Sequence, residues 1–237
     1  MISALPLVLI PGLACTARLY ADQIPVLWRS GPVCIADHTR HASLPEIASA
    51  VLEVAPPRFA LAGLSMGGYI AFEIMRRAPE RVLGLALLNT AARSEQPEQS
   101  AARHELIALA RAGKLEEVAD RLFLRFVSRA HQSEARLREL VREMAVETGA
   151  AAFERQERAI LGRLDSRPHL AAIRCPTLVL VGDGDELTPP ELAREIAAGI
   201  PGARLRLIAD SGHLSTLEQP EQVSDALLEW LESVRPR

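Results

Sequence analysis

The sequence predicts an α/β fold built on a doubly wound, mostly parallel sheet, and three observations support this. Short apolar runs recur along the chain with turn residues at their ends. The runs are continuous rather than alternating in apolarity, which is typical of strands buried on both faces of a parallel sheet. Most intervals between them show apolar residues at three- and four-residue steps. Strand and helix patterns that alternate in this way indicate a doubly wound sheet.

The apolar runs predict six strands along the chain. They are residues 5–10, 33–36, 59–62, 82–88, 177–181 and 204–208. Turn residues bound the runs, as Pro11-Gly12 does after the first one. Each strand is therefore short, and each is expected to end in a loop at an edge of the sheet.

Two intervals carry clear helix patterns. After Ser65, apolar residues on or near one stripe predict a helix that Pro79 ends: Ile70, Ile74, Met75 and Ala78. Near the C-terminus, Pro220 suits a first helical position, and apolar residues follow at helical steps: Val223, Leu227, Trp230, Leu231 and Val234.

Residues 93–171 show no strand pattern and indicate several helices rich in Ala, Leu, Glu and Arg. Acidic and basic residues are mixed along this segment, as on a solvated surface. We expect residues 1–92 and 172–237 to form the α/β core. Residues 93–171 are then a helical insertion between two strands of one sheet, lying over one edge as a lid.

Length and charge limit the partners. The 237 residues suffice for one domain with a sizeable core, and the formal net charge of −3 gives no general attraction to nucleic acid or anionic membranes. Cys15, Cys34 and Cys175 form neither a disulfide framework nor a zinc pattern, so free thiols in the cytoplasm are expected. The segment before Cys15 resembles a lipidation box, but its short apolar run has no preceding Lys or Arg, and secretion is not expected.

The stretch Gly63-Leu-Ser-Met-Gly67 places a serine directly after an apolar run and before a helix pattern. A chain that turns abruptly from strand to helix strains the residue at the turn and needs small neighbours. Gly63, Gly67 and Gly68 supply that space. The pattern matches a nucleophile elbow, in which Ser65 presents its hydroxyl at the carboxyl edge of the sheet.

A serine hydroxyl needs a histidine to take its proton and a carboxylate to orient that histidine. The acidic loop 182–189 follows the fifth predicted strand, and His213 follows the sixth, in the order serine, acid, histidine that accompanies a nucleophile elbow. Asp183, Asp185 and Glu186 compete for the role of the acid. Spacing alone does not choose between them.

These motifs, in this order, resemble the α/β-hydrolase fold family over nearly the whole chain. The family's G-x-x-D-x-x-[TV]-P pattern aligns its aspartate with Asp185 and thus favours Asp185 over Asp183. The resemblance implies a sheet of the α/β-hydrolase type with a helical lid, and a Ser65–Asp185–His213 catalytic triad. It further implies a cofactor-independent serine hydrolase.

The family also has a His-Gly motif after its first core strand, which contributes a backbone N–H to an oxyanion hole. Here the motif reads Pro11-Gly12, but a backbone donor does not depend on that side chain. The resemblance therefore assigns the N–H groups of Leu13 and Met66 to the oxyanion hole. Residues 36–41 likewise depart from the family's Gly-His-Gly turn.

The expected activity is hydrolysis of small carboxylic esters or thioesters through an acyl-enzyme on Ser65. The resemblance also permits hydrolysis of carbon–carbon bonds or lactones, acyl transfer, cofactor-free peroxidation, or a binding protein that retains the fold. No nucleotide motif is present, and His38 and His41 lack the carboxylates of a metal site, so no cofactor or metal is expected. Apolar residues of the lid are candidates for lining the pocket: Leu106, Leu109, Leu122, Phe123, Phe126, Met144 and Phe153.

Overall fold

The computed structural model describes residues 5–234. It contains a six-stranded sheet in the order β2-β1-β3-β4-β5-β6. All neighbouring strands pair in parallel. The strands are β1 (Leu7–Ile10), β2 (Val33–Ile35), β3 (Phe59–Leu64), β4 (Val82–Leu88), β5 (Thr177–Gly182) and β6 (Arg204–Ile208). The doubly wound parallel sheet expected from the sequence is confirmed.

The order of the strands determines where a site can form. The chain first adds β2 on one side of β1 and then crosses to add β3 on the other side. In open parallel sheets, ligands bind beyond the carboxyl ends of the strands near such a reversal. Because all the strands are parallel, the loops after β3, β4, β5 and β6 leave the sheet at this same edge.

Ten α-helices connect or flank the strands within the described residues. They are α1 (Ile24–Leu27), α2 (Leu44–Val54), α3 (Met66–Arg77), α4 (Pro97–Arg111), α5 (Leu115–Phe126), α6 (Ala135–Thr148), α7 (Ala150–Leu161), α8 (Pro190–Gly199), α9 (Ser215–Glu218) and α10 (Pro220–Val234). Short 3₁₀ turns occur at Ala17–Tyr20, Trp28–Ser30, Pro79–Arg81, Arg129–His131 and Arg167–Ala172. The predicted helix after Ser65 and the predicted C-terminal helix are α3 and α10.

The strands at the centre of the sheet are buried almost throughout, and the two edge strands, β2 and β6, are not. Every residue of β1, β3 and β5 is buried. In β6, by contrast, Leu205 and Leu207 are 38% and 44% exposed. Since β6 pairs only with β5, its outer side has no neighbouring strand. The expectation of strands buried on both faces therefore holds at the centre of the sheet and fails at both edge strands, β2 and β6.

Residues 93–171, all of which the structure describes, contain α4 to α7 and no strand. Apolar side chains of these helices belong to the same hydrophobic cluster as the sheet, and Phe123, Phe126 and Phe153 are at most 4% exposed. The helical segment therefore packs on the sheet instead of forming a core of its own.

Candidate active site

Ser65 occupies a sharp turn between β3 and α3. Its φ of 55° lies in the left-handed region that non-glycine residues rarely adopt. A Cβ at Gly67 would lie 2.1 Å from the carbonyl oxygen of Ile10, and one at Gly68 would lie 2.4 Å from Thr90 Oγ1. Only glycine fits these two positions without movement of the backbone or of Thr90, as the elbow pattern predicts.

His213 lies within hydrogen-bonding distance of the serine. Its Nε2 is 2.8 Å from Ser65 Oγ, and its Nδ1 is 2.9 Å from Asp185 Oδ2. The histidine is 1% exposed. The loops after β3, β6 and β5 thus place a hydroxyl, an imidazole and a carboxylate, in that order, in one hydrogen-bonded chain. This arrangement can move a proton from the hydroxyl to the imidazole.

Asp185 is surrounded by donors. Its Oδ1 accepts hydrogen bonds from the N–H groups of Leu187 and Thr188, both at 2.9 Å, and its Oδ2 accepts from Thr188 Oγ1 at 2.7 Å. The Asn89 amide donates to the same Oδ2 at 3.0 Å. Burial acts to raise the pKa of Asp185, but the charge of His213 and these hydrogen bonds outweigh it and lower that pKa.

The two other candidate acids lie elsewhere. Asp183 is exposed and accepts a hydrogen bond from the N–H of Ser211 at 3.2 Å. Glu186 is 2.9 Å from Arg129 in an exposed ion pair. Of the three carboxylates that spacing left open, the structure brings Asp185 to His213.

The loop that carries His213 is tied to the end of α5. The N–H groups of His213 and Leu214 both donate to the carbonyl oxygen of Phe126 at 2.9 Å. The Phe126 ring also lies 5.6 Å from the imidazole, centroid to centroid. Glu218 accepts from Ser128 N at 2.8 Å and from Gly212 N at 2.9 Å. Burial raises the pKa of this Glu218 carboxyl.

Leu13 and Met66, the residues assigned to the oxyanion hole, lie beside the serine in sequence or in space. Leu13 lines the same cavity as Ser65. Met66 is the first residue of α3, where backbone N–H groups have no acceptor within the helix. Within residues 5–234, the N–H of Leu13 also has no hydrogen-bond acceptor.

A cavity of about 380 Å³ opens over Ser65. Of the residues predicted to line it, Leu106, Leu122 and Phe126 do so. The other four pack elsewhere: Leu109, Phe123, Met144 and Phe153. Residues that the sequence patterns did not indicate complete the apolar wall, among them Tyr69, Ile160, Leu187 and Leu192. Four arginines also line the cavity: Arg93, Arg103, Arg125 and Arg163.

Sequence reasoning missed two residues that support the acid and the histidine. Asn89 follows β4 and binds both Asp185 and the carbonyl oxygen of Gly212, each at 3.0 Å. Its φ of 44° is a conformation that asparagine adopts more readily than most residues. Thr188 occupies the threonine position of the acid-loop pattern, so the sequence pattern could have indicated its contact with Asp185.

The described part of the chain, residues 5–234, holds neither a metal-binding cluster nor a membrane-spanning helix. No cluster of three or more His, Cys, Asp or Glu side chains there could hold a metal ion. No helix in this part of the chain is long and apolar enough to cross a membrane.

Known proteins resemble this chain in sequence and in fold. A family model described as the alpha/beta hydrolase family matches residues 7–226. A relative from Mycobacterium tuberculosis, whose name assigns it provisionally to the non-heme bromoperoxidases, is 30% identical over 97% of this chain and 95% of its own.

Two solved structures resemble the chain closely. A thermophilic esterase from Thermogutta terrifontis superimposes with a TM-score of 0.89 at 29% identity, covering 98% of this chain and 91% of the esterase. An enol-lactonase from Burkholderia xenovorans superimposes with a TM-score of 0.87 at 26% identity, covering 97% of this chain and 92% of the lactonase. Peroxidase, esterase and lactonase names thus occur among proteins of one fold, which alone does not select a reaction.

Proposed function

The chain belongs to the alpha/beta hydrolase family, and from this premise we propose that it is a cofactor-independent serine hydrolase of small carboxylic esters or thioesters. The observation that carries the proposal is the hydrogen-bonded chain from Ser65 through His213 to Asp185. A nucleophile, a base and a group that orients the base, each within hydrogen-bonding reach of the next, are what acyl transfer to serine requires.

The first half of the reaction acylates the serine. Ser65 Oγ attacks the acyl carbonyl carbon while His213 Nε2 takes the hydroxyl proton. Asp185 holds the ring through Nδ1 and stabilises the imidazolium that forms. The N–H groups of Leu13 and Met66 bind the oxyanion of the tetrahedral intermediate. When the intermediate collapses, the bond to the alcohol or thiol breaks, and His213 returns the proton to the leaving group.

The second half releases the acid. A water molecule gives a proton to His213 and attacks the acyl-enzyme carbonyl. The intermediate then collapses, and Ser65 leaves with the proton that His213 donates. Water is the only co-reactant, so the sequence of steps needs no cofactor.

Residues 93–171 form the lid in this proposal, and residues 1–92 and 172–237 form the core that carries the triad. The support is that the cavity is lined from both parts, with Leu106, Leu122 and Phe126 on the helical segment and Ser65 and Leu187 on the core. A small acyl group would therefore be enclosed between apolar side chains of the lid and the serine.

The first experiment is intact-mass analysis after treatment with a serine-reactive phosphonate, which requires no knowledge of the substrate. The wild-type protein should gain one adduct, and Ser65→Ala should gain none. Ser94→Ala is the matched control, because Ser94 lines the same cavity, and this variant should label as the wild type does.

Turnover of an ester, thioester and lactone panel then tests the reaction. Ser65→Ala and His213→Ala should each lower kcat by several powers of ten, on the order of 10⁴-fold or more, with the fold retained. Wild-type turnover in either variant would refute the triad. A folded wild-type protein that saturates with ligand, takes up no phosphonate and forms no product would instead favour a binding protein.

A further inference from the structure

Two buried polar side chains lie against the loop that carries Leu13, and the proposed reaction steps use neither of them. His38 is in the loop after β2 and is 2% exposed. Gln156 is on α7 and is 0% exposed. Because buried polar groups are costly unless they are hydrogen-bonded, their contacts indicate what they do.

Both side chains bind backbone groups on either side of Leu13. His38 Nε2 lies 2.9 Å from the carbonyl oxygen of Gly12. The N–H of Ala14 donates to Gln156 Oε1 at 3.0 Å. The imidazole and the amide also touch, with 3.1 Å between the two Nε2 atoms. The loop is thus held from the core by His38 and from α7 by Gln156.

The contact with Gly12 acts directly on the proposed oxyanion donor. The Gly12 carbonyl and the Leu13 N–H belong to one planar peptide group and point in opposite directions in its trans form. A donor that fixes the carbonyl therefore fixes the direction of the N–H. A hydrogen bond to the carbonyl also polarises the peptide and strengthens its N–H as a donor.

The loop conformation itself needs support. Ala14 has a φ of 55°, in the left-handed region, where an L-residue with a Cβ is strained. Within the loop, Cys15 provides only its N–H to Gly12 O at 3.2 Å and its thiol to Leu13 O at 3.3 Å. Gln156 holds the strained residue by its N–H, which stabilises this conformation over alternatives.

The role of His38 depends on which ring nitrogen carries its proton. Burial lowers the pKa of His38, so the ring is neutral at pH 7 and carries one proton. The Ala14 N–H requires Gln156 to present its oxygen to the loop and its NH₂ group to the ring. In the tautomer with the proton on Nε2, the ring donates to the Gly12 carbonyl, which also accepts the Cys15 N–H, and the 3.1 Å contact with the Gln156 NH₂ group is then not a hydrogen bond. With the proton on Nδ1, Nε2 would accept from Gln156 and release the carbonyl.

We propose that His38 and Gln156 are positioning residues of the oxyanion hole, which hold the Gly12–Leu13 peptide so that the Leu13 N–H points at the oxyanion on Ser65. The inference rests on the proposed function, because it requires that oxyanion. Because Gln156 is on α7, the direction of the Leu13 N–H also depends on where α7 packs.

The test is His38→Leu, compared with His38→Gln, which retains an N–H donor. His38→Leu should lower kcat about 10- to 100-fold, somewhat less than removal of an oxyanion donor, with KM nearly unchanged. Binding of a trifluoromethyl ketone, which forms a tetrahedral adduct on Ser65, should weaken in parallel, whereas binding of the carboxylic acid product should not. His38→Gln should recover most of the loss.

Two further variants separate positioning from folding. Gln156→Met removes the hydrogen bond to the Ala14 N–H and the amide contact with the His38 ring while leaving His38 in place, and it should lower kcat and adduct affinity in the same sense. If His38→Leu does not fold, Gln156→Met tests the proposal in its place. His41→Leu changes a partly exposed histidine in the same loop and should behave as the wild type. Urea unfolding midpoints establish that each variant compared is folded.

Several results would overturn the proposal. One is unchanged kcat and adduct affinity in folded His38→Leu or Gln156→Met. Another is that adduct binding and product binding weaken equally. A third is a loss of kcat in His38→Gln as large as that in His38→Leu. Failure of the proposed function is distinguishable, since the wild type would then lack both phosphonate labelling at Ser65 and turnover. If the wild type labels and turns over, a negative result in these variants counts against the positioning role alone.

Discussion

At the scale of single residues, the carboxylates after β5 illustrate how surroundings decide a role. Asp183 and Asp185 are two positions apart, yet one is exposed and the other is 2% exposed with three neighbouring residues donating to it besides His213. The buried carboxylate can hold an imidazolium in low dielectric, where its charge acts most strongly. The exposed one is screened by water and binds only the backbone of Ser211.

We therefore expect Asp185→Asn to lower kcat by roughly 10³- to 10⁴-fold, because an amide no longer holds the histidine in the correct tautomer. Steady-state kinetics on an activated ester measures this. Asp183→Asn is the matched control and should stay within about twofold of the wild type, as an exposed residue outside the hydrogen-bonded chain. Equal losses in the two variants, or a larger loss in Asp183→Asn, would show that Asp185 is not the orienting acid.

At the scale of secondary-structure elements, a buried ion network joins α4 to α7. Arg103 of α4 lies 2.7 Å from Glu157 of α7 and 3.0 Å from Glu95, and Arg163 also contacts Glu95. The Glu157 side chain is fully buried. Burial raises the pKa of Glu157, and the nearby charge of Arg103 partly offsets that rise. Breaking such a network leaves an uncompensated charge inside the protein.

Arg103→Met should lower the free energy of unfolding by about 3–5 kcal/mol at neutral pH, because Glu157 loses its partner. Urea unfolding monitored by circular dichroism measures this loss. The double variant Arg103→Met/Glu157→Gln should recover much of the stability, since the buried charge is gone. Arg111→Met is the control, because Arg111 and Glu154 join the same two helices in an exposed pair, and it should change stability little.

The loss in Arg103→Met should also depend on pH. A carboxyl whose folded pKa lies above its unfolded value costs stability as the pH rises through the folded pKa. The difference in unfolding free energy between the wild type and Arg103→Met should therefore shrink as the pH is lowered and Glu157 becomes protonated. A deficit that is constant from pH 8 to pH 5, or that grows on acidification, would contradict the buried-charge explanation.

At the scale of the whole molecule, one hydrophobic cluster includes the sheet, α3 and α10 as well as apolar side chains of α4 to α7. The hydrogen bonds from the His213 loop to the Phe126 carbonyl and from the Ser128 N–H to the Glu218 carboxylate add to this connection. The proposed lid and core thus share both apolar and polar contacts. We expect them to unfold together rather than as separate units.

Trp28→Phe makes this expectation measurable, because Trp28 is 69% exposed and Trp230 is 0% exposed. In this variant, fluorescence reports the surroundings of Trp230 in the core, and far-ultraviolet circular dichroism reports all the helices. The two urea transitions should coincide in midpoint and slope. If helix content is lost first while the Trp230 signal persists, the helical segment is an independently unfolding unit.

Much of the fold was predictable because its signals are local. The strand predictions at 82–88 and 204–208 match β4 and β6 residue for residue, and the others differ by one or two residues at their ends. The proline at the start of α10 and Gly63, whose Cβ would meet the carbonyl oxygen of Gly67, are short-range requirements that appear in the sequence directly. Gly67 and Gly68 are required instead by the close approach of Ile10 and Thr90, although the elbow pattern already marks them. The exposure of β6 was not visible in this way, since it depends on which strand ends the sheet.

The sequence by itself determined the alternation of strands and helices and the nucleophile elbow, because turn chemistry and apolar period act over a few residues. It also determined the order of the candidate serine, acid and histidine. The acid-loop motif favoured Asp185, and the structure brings that carboxylate to His213. Tertiary structure alone decided which apolar helix residues line the cavity, and that His38 and Gln156 meet at the Leu13 loop. Residues 118 positions apart in the chain form that last contact. No local pattern encodes such a contact, since it follows from strand order and from how α7 packs against α4 and α6.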